Sequence, residues 1–159
     1  MNTCEFRLRR GEPADAAAVA AASRLHVEYG LAPWWTRRRV CTVLEDPRSA
    51  LLVAEVHGDF AGFALARRGS AGLHLLSFAV LPRYRRRTIG SALLDELAAH
   101  AARHGLASLR LEVRGGNRRA RRFYHGHGFR TLAVRSLFYR SGEAAIVMAR
   151  RAPESQPPA

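Results

Sequence analysis

The stretch that most constrains the fold is an apolar segment followed by a basic loop and a second, longer apolar segment. Residues 73–80 form an apolar run that predicts a buried strand, and Pro82 ends it. The next loop, residues 83–90, carries four arginines and a glycine, and helical periodicity then extends from Ser91 to His104. This order brings unpaired backbone N–H groups and the positive end of a helix dipole close to arginines. The arrangement suits a phosphate group.

The remaining chain predicts the elements on either side of this block. Strands are predicted at residues 4–9, 50–56, 60–67, 109–113, 129–134 and 144–149, and helices at residues 13–28, 36–45 and 117–124. A hairpin is expected at His57-Gly58-Asp59, and Gly30 and Pro33 are expected to end the first helix. The order predicts an α+β fold, an α/β/α sandwich whose mixed, mostly antiparallel central sheet has about seven strands flanked by about four helices.

Length and composition indicate one domain. The chain has 159 residues, of which 48% are apolar, and this is sufficient for a single core. No linker divides the chain, so we predict one domain at residues 1–151. Residues 152–159 hold three prolines and no apolar pattern, and we expect them to be a disordered tail.

Charge and the terminal sequence narrow the class of protein. The net charge is +13, and all 26 basic residues are arginine, which favours anionic ligands such as nucleotide phosphates, acidic protein surfaces or nucleic acid. The N-terminus lacks the apolar core of a signal peptide, and no apolar run approaches the ~18–20 residues of a membrane span. Two cysteines, Cys4 and Cys41, indicate no disulfide framework. We therefore expect a soluble, cytoplasmic protein with no membrane partner.

Two motifs in the central block resemble the GNAT superfamily of acetyl-CoA-dependent N-acetyltransferases. The phosphate loop of that superfamily, Gln/Arg-x-x-Gly-x-Gly/Ala, is matched in register by Arg85-Arg86-Arg87-Thr88-Ile89-Gly90. Its second motif, Asn-x-x-Ala-x-x-Phe/Leu-Tyr followed by Gly-Phe, is matched by Asn117-Arg118-Arg119-Ala120-Arg121-Arg122-Phe123-Tyr124 and then Gly128-Phe129. Within the superfamily, residues 4–150 are most similar to the ribosomal-protein-alanine N-acetyltransferase type. That likeness also rests on Pro33-Trp34, Phe78-Ala79-Val80, Leu111-Glu112-Val113-Arg114 and Ala145-Ile146-Val147-Met148.

The resemblance implies an enzyme that moves the acetyl group of acetyl-CoA to an amine, with a protein N-terminal α-amino group as the expected acceptor. Direct attack in a ternary complex is expected, because no cysteine lies in the central block to carry the acyl group. Implied partners are acetyl-CoA, a protein or peptide N-terminus and, by electrostatic association, the ribosome or RNA. Two alternatives stay open: a small-molecule amine acetyltransferase, and a non-catalytic nucleic-acid-binding or regulatory protein with this fold.

The resemblance also assigns the residues that bind acetyl-CoA. They are Phe78, Ala79, Val80, Arg85, Arg86, Arg87, Thr88, Ile89, Gly90, Ser91 and Asn117. From its position after two glycines, Asn117 equally suits an N-cap of the following helix. Thr88 stands where the family usually carries glycine, which permits unusual backbone torsions and close approach to the pyrophosphate. Either the loop adapts to this β-branched residue, or it weakens acetyl-CoA binding.

For catalysis, the resemblance implies that Glu112 is the general base and Tyr124 the general acid. The residues alone leave a second interpretation of each. Glu112 shares a strand face with Arg110 and Arg114, as in a solvated surface cluster, and Tyr124 suits an ordinary core tyrosine. His74 is a second candidate base, although a lone histidine in a strand is more often structural.

No metal site is predicted. Two pairs of histidines have close spacing, His100 with His104 and His125 with His127, but neither has a third ligand at a characteristic distance along the chain. Histidines at a helix end and on the surface account for both pairs.

Overall fold

A computed structural model describes residues 5–28, 34–136, 138 and 142–154. Over these residues the helices and strands follow the predicted order. The strands are β1 (Phe6–Arg10), β2 (Ser49–Val56), β3 (Asp59–Gly69), β4 (Gly72–Val80), β5 (Ser108–Arg114), β6 (Arg130–Arg135) and β7 (Ala145–Arg151); the helices are α1 (Ala16–His26), α2 (Arg37–Glu45), α3 (Ile89–Arg103) and α4 (Arg118–Gly126). The seven described strands form one mixed, mostly antiparallel sheet in the order β1-β2-β3-β4-β5-β7-β6. The predicted fold class is confirmed.

The ends of two helices differ from the prediction for local reasons. The first predicted helix opens as a short 3₁₀ turn at Pro13–Asp15, and α1 begins only at Ala16. Helix α3 begins at Ile89 rather than Ser91, so Gly90 belongs to its first turn. No described helix has the length and apolar character needed to cross a membrane. Three residues named in the sequence analysis, Cys4, Gly30 and Pro33, lie outside the described residues, as does most of the predicted tail (residues 155–159).

One compact unit comprises Met1–Arg68 and Leu75–Glu96. Here β1 pairs antiparallel with β2, and β2 with β3 through the predicted hairpin. Its turn residues, His57 and Gly58, have φ of 51° and 84°, the left-handed pair of a two-residue turn. The core of this unit includes Val19 of α1, Val40 of α2 and Phe63 of β3, each with no exposed surface. Burial of such side chains stabilises the fold by about 1.5–3 kcal/mol each.

The second unit comprises Gly69–His74 and Leu97–Ala159. Strand β5 pairs in parallel with the start of β4, at Leu73↔Leu109 and His74↔Arg110, and antiparallel with β7. The side chains of β5 alternate as predicted: three apolar residues are buried, and the intervening charged residues are only partly so. The buried set is Leu109, Leu111 and Val113. This alternation leaves one face of β5 to Arg110, Glu112 and Arg114.

Candidate active site

The second unit brings His74 and Glu112 together. His74 pairs with Arg110 across the parallel strands, and Glu112 lies two residues further along β5, on the same face as Arg110. The distance between His74 Nε2 and Glu112 Oε2 is 2.5 Å. The Glu112 side chain is 18% exposed and that of His74 is 40% exposed, so solvent and substrate can reach the imidazole. Glu112 is therefore not the solvated member of a surface Glu–Arg cluster.

The environment keeps Glu112 ionised. The hydrogen bond from His74 lowers the pKa of the Glu112 carboxyl below its ordinary 4.5 and outweighs burial, which acts in the opposite direction. The charges of His74, Arg135 and Arg110 contribute further lowering. At neutral pH the pair therefore offers a carboxylate hydrogen-bonded to an imidazole, an arrangement able to accept and hold a proton.

Tyr124 lies near the end of α4 and is 9% exposed. Its ring meets two aromatic rings edge-on, that of Phe123 at 5.5 Å and that of Phe129 at 5.4 Å between centroids. Its carbonyl accepts the Phe129 N–H, which fixes the turn after the helix. Burial raises the pKa of the Tyr124 hydroxyl above its ordinary 10, so the phenol keeps its proton at any working pH. A protonated, buried phenol is suited to donating a hydrogen bond.

Asn117 is the N-cap of α4. Its Oδ1 accepts the Ala120 N–H at 3.1 Å, and this confirms the capping role that its position predicted. The preceding turn is held by the Gly115 carbonyl, which accepts from Arg121 Nη1 at 3.0 Å. The acetyl-CoA contact implied for Asn117 stays a prediction.

In the first unit, two non-glycine residues of the predicted phosphate loop adopt a backbone conformation that glycine favours. Two of its residues, Arg86 and Thr88, have φ of 61° and 64°, in the left-handed region that side chains disfavour. The Thr88 hydroxyl donates to the Arg87 carbonyl at 2.6 Å, and the Thr88 carbonyl accepts the Ala92 N–H at 2.9 Å. Thr88 thus leads directly into α3, and the loop has adapted to this residue.

Side chains stiffen the same loop. Arg85 Nε donates to the Val80 carbonyl at 2.9 Å, which fastens the loop to the end of β4. Tyr84 is buried, and the guanidinium groups of Arg83 and Arg87 lie 4.7 and 5.8 Å from the centre of its ring. The first N–H groups of α3 have no intrahelical acceptor, as in every α-helix. Exposed arginines beside a helix N-terminus fit a pyrophosphate.

The structure extends the sequence-based list of site residues by one interaction. Sequence analysis identified His74 and Glu112 as separate candidate bases, and only the strand register shows them hydrogen-bonded. His74 follows Leu73 by one residue and Glu112 follows Leu109 by three, so both lie on the face opposite to that of the paired leucines. That spacing was the available signal, but it needs the register to be known. Among the described residues, no group of three or more His, Cys, Asp or Glu is placed to hold a metal ion.

Comparison with known proteins agrees with this geometry. The acetyltransferase (GNAT) family matches residues 16–129. An N-alpha-acetyltransferase from Sulfurisphaera tokodaii is 30% identical over 158 residues, which span 91% of this chain and 92% of that protein.

Two solved structures are similar throughout. Ard1 from Thermoplasma volcanium has a TM-score of 0.83 and 29% identity over 94% of this chain and 99% of that one. The ribosomal-protein-S18-alanine N-acetyltransferase from Escherichia coli has a TM-score of 0.81 and 26% identity over 98% of this chain and 99% of that one. The chain therefore belongs to the acetyltransferase (GNAT) family and is an acetyl-CoA-dependent N-acetyltransferase.

Proposed function

We propose that this enzyme acetylates a protein N-terminal α-amino group, by direct attack of the amine on the thioester of acetyl-CoA in a ternary complex. The observation that carries the proposal is the His74–Glu112 hydrogen bond of 2.5 Å, which provides a proton acceptor on a partly exposed strand face. Relatives named N-alpha-acetyltransferase and ribosomal-protein-S18-alanine N-acetyltransferase support the choice of acceptor.

The His74–Glu112 pair would remove the proton from the acceptor. An α-amino group has an ordinary pKa of about 7.7–8.0 and is mostly protonated at neutral pH, so it must lose a proton before it attacks. With its pKa lowered, Glu112 alone is a weak base, and the hydrogen-bonded imidazole of His74 supplies a second ring nitrogen that can accept the proton. We assign the general base to Glu112 acting with His74, the carboxylate orienting the ring and stabilising its protonated form.

Tyr124 would act as the general acid. The departing thiolate of coenzyme A needs a proton or a hydrogen bond, and a phenol whose pKa is raised by burial keeps its proton until negative charge develops nearby. A second role, that of an ordinary core tyrosine, is consistent with the same aromatic packing. A Tyr124→Phe variant separates the two roles, because it keeps the ring.

Acetyl-CoA, as the bound co-substrate, supplies the activated acetyl group. We propose that residues 85–91 bind its pyrophosphate through loop and helix N–H groups and arginines, and that Phe78, Ala79 and Val80 pair with its pantetheine arm. Asn117 is proposed as a further contact. The left-handed φ of Thr88 supports this assignment, since the loop already has the backbone shape that glycine gives to relatives.

We further propose a cytoplasmic location, association with the ribosome or RNA, and a domain boundary after residue 151. Exposed arginines support the association: Arg37 and Arg38 on α2, and Arg118, Arg119 and Arg122 on α4. We expect the affinity for RNA to fall by about tenfold or more between 50 and 200 mM salt.

The net charge of +13 counts against a polycationic small-molecule acceptor, because the protein would repel it.

The decisive experiment is peptide acetylation by Glu112→Gln and His74→Gln variants. Glu112→Gln should lower kcat by about a hundredfold or more and leave the Kd for acetyl-CoA unchanged by calorimetry. His74→Gln should also lower kcat and leave the Kd for acetyl-CoA unchanged. Glu154→Gln, the same change at an exposed carboxylate of the same unit, is the control. Unchanged turnover in Glu112→Gln contradicts the assignment of the base.

A further inference from the structure

Four arginines surround Glu112 on one face of the sheet in the second unit. Neighbouring antiparallel strands direct the side chains of paired residues to the same face, and residues two apart along a strand also share a face. The register of β5, β7 and β6 places one pair of arginines in the row before Glu112 and one pair in the row after it. These are Arg110 with Arg130, and Arg114 with Arg135. The sheet face around the proposed base is therefore strongly positive.

Arg135 is the arginine of this set best placed to contact a ligand. It is exposed, and its guanidinium lies 5.9 Å from the centre of the Phe138 ring. Within the described part of the chain, neither Arg135 nor Arg110 is in an ion pair. The pKa of Glu112 is lowered first by the hydrogen bond from His74, and the charge of Arg135 contributes more than that of Arg110. The charge of Arg135 therefore acts on the space beside Glu112.

Positive charge beside the base affects an incoming amine in two ways. It disfavours the ammonium form, which lowers the pKa of the amine and favours the neutral nucleophile. It also repels a cationic acceptor, and the net charge of +13 adds to this repulsion. A carboxylate carried by the acceptor would offset the repulsion, because a guanidinium binds a carboxylate through two charge-assisted hydrogen bonds.

We propose that Arg135 selects acceptors that carry Asp or Glu at the second or third residue; this rests on the proposed function. Arg135 lies two strands and one row away from Glu112, so their backbones are about 12 Å apart. An extended peptide advances about 3.3 Å per residue. An acceptor whose amine lies at Glu112 therefore brings its second or third side chain within reach of the long Arg135 side chain. Arg135 determines specificity, and proton removal stays with the His74–Glu112 pair.

Peptide pairs that differ by one charge test this selectivity. The probes are heptapeptides that begin with Ala and carry Asp at the second or third residue, each with a copy that carries Asn there. The readout is the ratio of kcat/KM for the Asp peptide to that for the Asn peptide. The variants are Arg135→Gln and Arg135→Glu, whose folding is checked by Tm. The control is Arg151→Gln, which removes the same charge from an exposed arginine at the end of β7.

In the unmodified protein the ratio should be about fivefold or more for at least one of the two positions, and it should fall at high salt. Arg135→Gln should bring the ratio to about one, and Arg135→Glu should make the Asn peptide the better substrate. Arg151→Gln should keep the ratio of the unmodified protein. A ratio of about one in the unmodified protein, or an undiminished ratio in Arg135→Gln, would overturn the inference.

The same probes separate this inference from the proposed function. Acetylation of every peptide without a preference for Asp would overturn the inference and leave the proposed function standing. If no peptide is acetylated, the proposed function fails, and the Kd of each peptide with coenzyme A present tests the inference instead. Tighter binding of the Asp peptides that Arg135→Gln abolishes would support it, and equal Kd values would overturn it. Displacement of the peptides by an RNA oligonucleotide, without a preference for Asp, would assign the arginines to RNA and also overturn it.

Discussion

Replacing Thr88 with glycine should stabilise the folded protein. Thr88 holds a φ of 64°, and the left-handed conformation costs a residue with a side chain about 1–2 kcal/mol. Glycine avoids this cost but loses more chain entropy on folding, about 0.5–1 kcal/mol. The exposed hydrogen bond from the Thr88 hydroxyl to the Arg87 carbonyl adds little, because water replaces it readily. We therefore expect a net gain of about 0.5–1 kcal/mol.

This gain corresponds to a rise in Tm of about 1–4 °C for a chain of this length. Calorimetry or circular dichroism would measure it, with Thr131→Gly as the matched control. Thr131 is an exposed strand residue outside the left-handed region, and the same change there should lower Tm. Affinity for acetyl-CoA should stay within about threefold in Thr88→Gly, because the loop already has the required backbone shape. A fall in Tm matching that of Thr131→Gly would refute the strain argument.

Three further predictions follow from the site and the fold. Tyr124→Phe should lower kcat about a hundredfold with little change in Tm, and unchanged turnover would leave only the packing role. Asn117→Asp should keep the α4 cap and its Tm while weakening acetyl-CoA binding in calorimetry; unchanged binding would make Asn117 a cap alone. The hydrogen bond from Arg9 lowers the pKa of Asp15 in the folded protein below its ordinary 3.8. The ionised Asp15 carboxylate therefore stabilises the folded protein fully above pH 3.8, and this contribution is lost as the pH falls through the pKa of Asp15 in the folded state. The Tm difference between the wild type and Asp15→Asn, measured from pH 7 to pH 2, should therefore shrink at acidic pH, and a constant difference would contradict this linkage.

Local sequence patterns and turn residues predicted much of the fold. Alternating apolar residues located β5, the Pro13 turn signalled the start of α1, and His57-Gly58 located a hairpin that needs two left-handed residues. The departure at Thr88 was visible as well, because the family motif has glycine there. The sequence did not reveal the backbone conformation at Thr88, which has the left-handed φ that glycine adopts readily. The effect of Thr88 on acetyl-CoA binding stays a prediction.

Glu28 was not predictable in the same way. A glutamate at the end of a predicted helix is ordinarily solvated, and charged residues are rarely buried without partners. Its burial depends on the position of Trp34 and Trp35, whose backbone N–H groups donate hydrogen bonds to its carboxylate. That position is a property of the tertiary structure, and no periodicity or spacing in the sequence indicates it.

The His74–Glu112 pair shows how far a strand pattern constrains a site. The buried set of β5 indicates which face Glu112 occupies, because a slip of one residue would turn its side chain to the other face. The same pattern allows a slip of two residues, which would move Glu112 along β4 by about 7 Å. Such a shift would break its hydrogen bond with His74. The register His74↔Arg110 is therefore the feature that brings the two candidate bases within hydrogen-bond distance of each other. This register depends on the path of the connection through α3 from β4 to β5. No local pattern in a single sequence indicates that path.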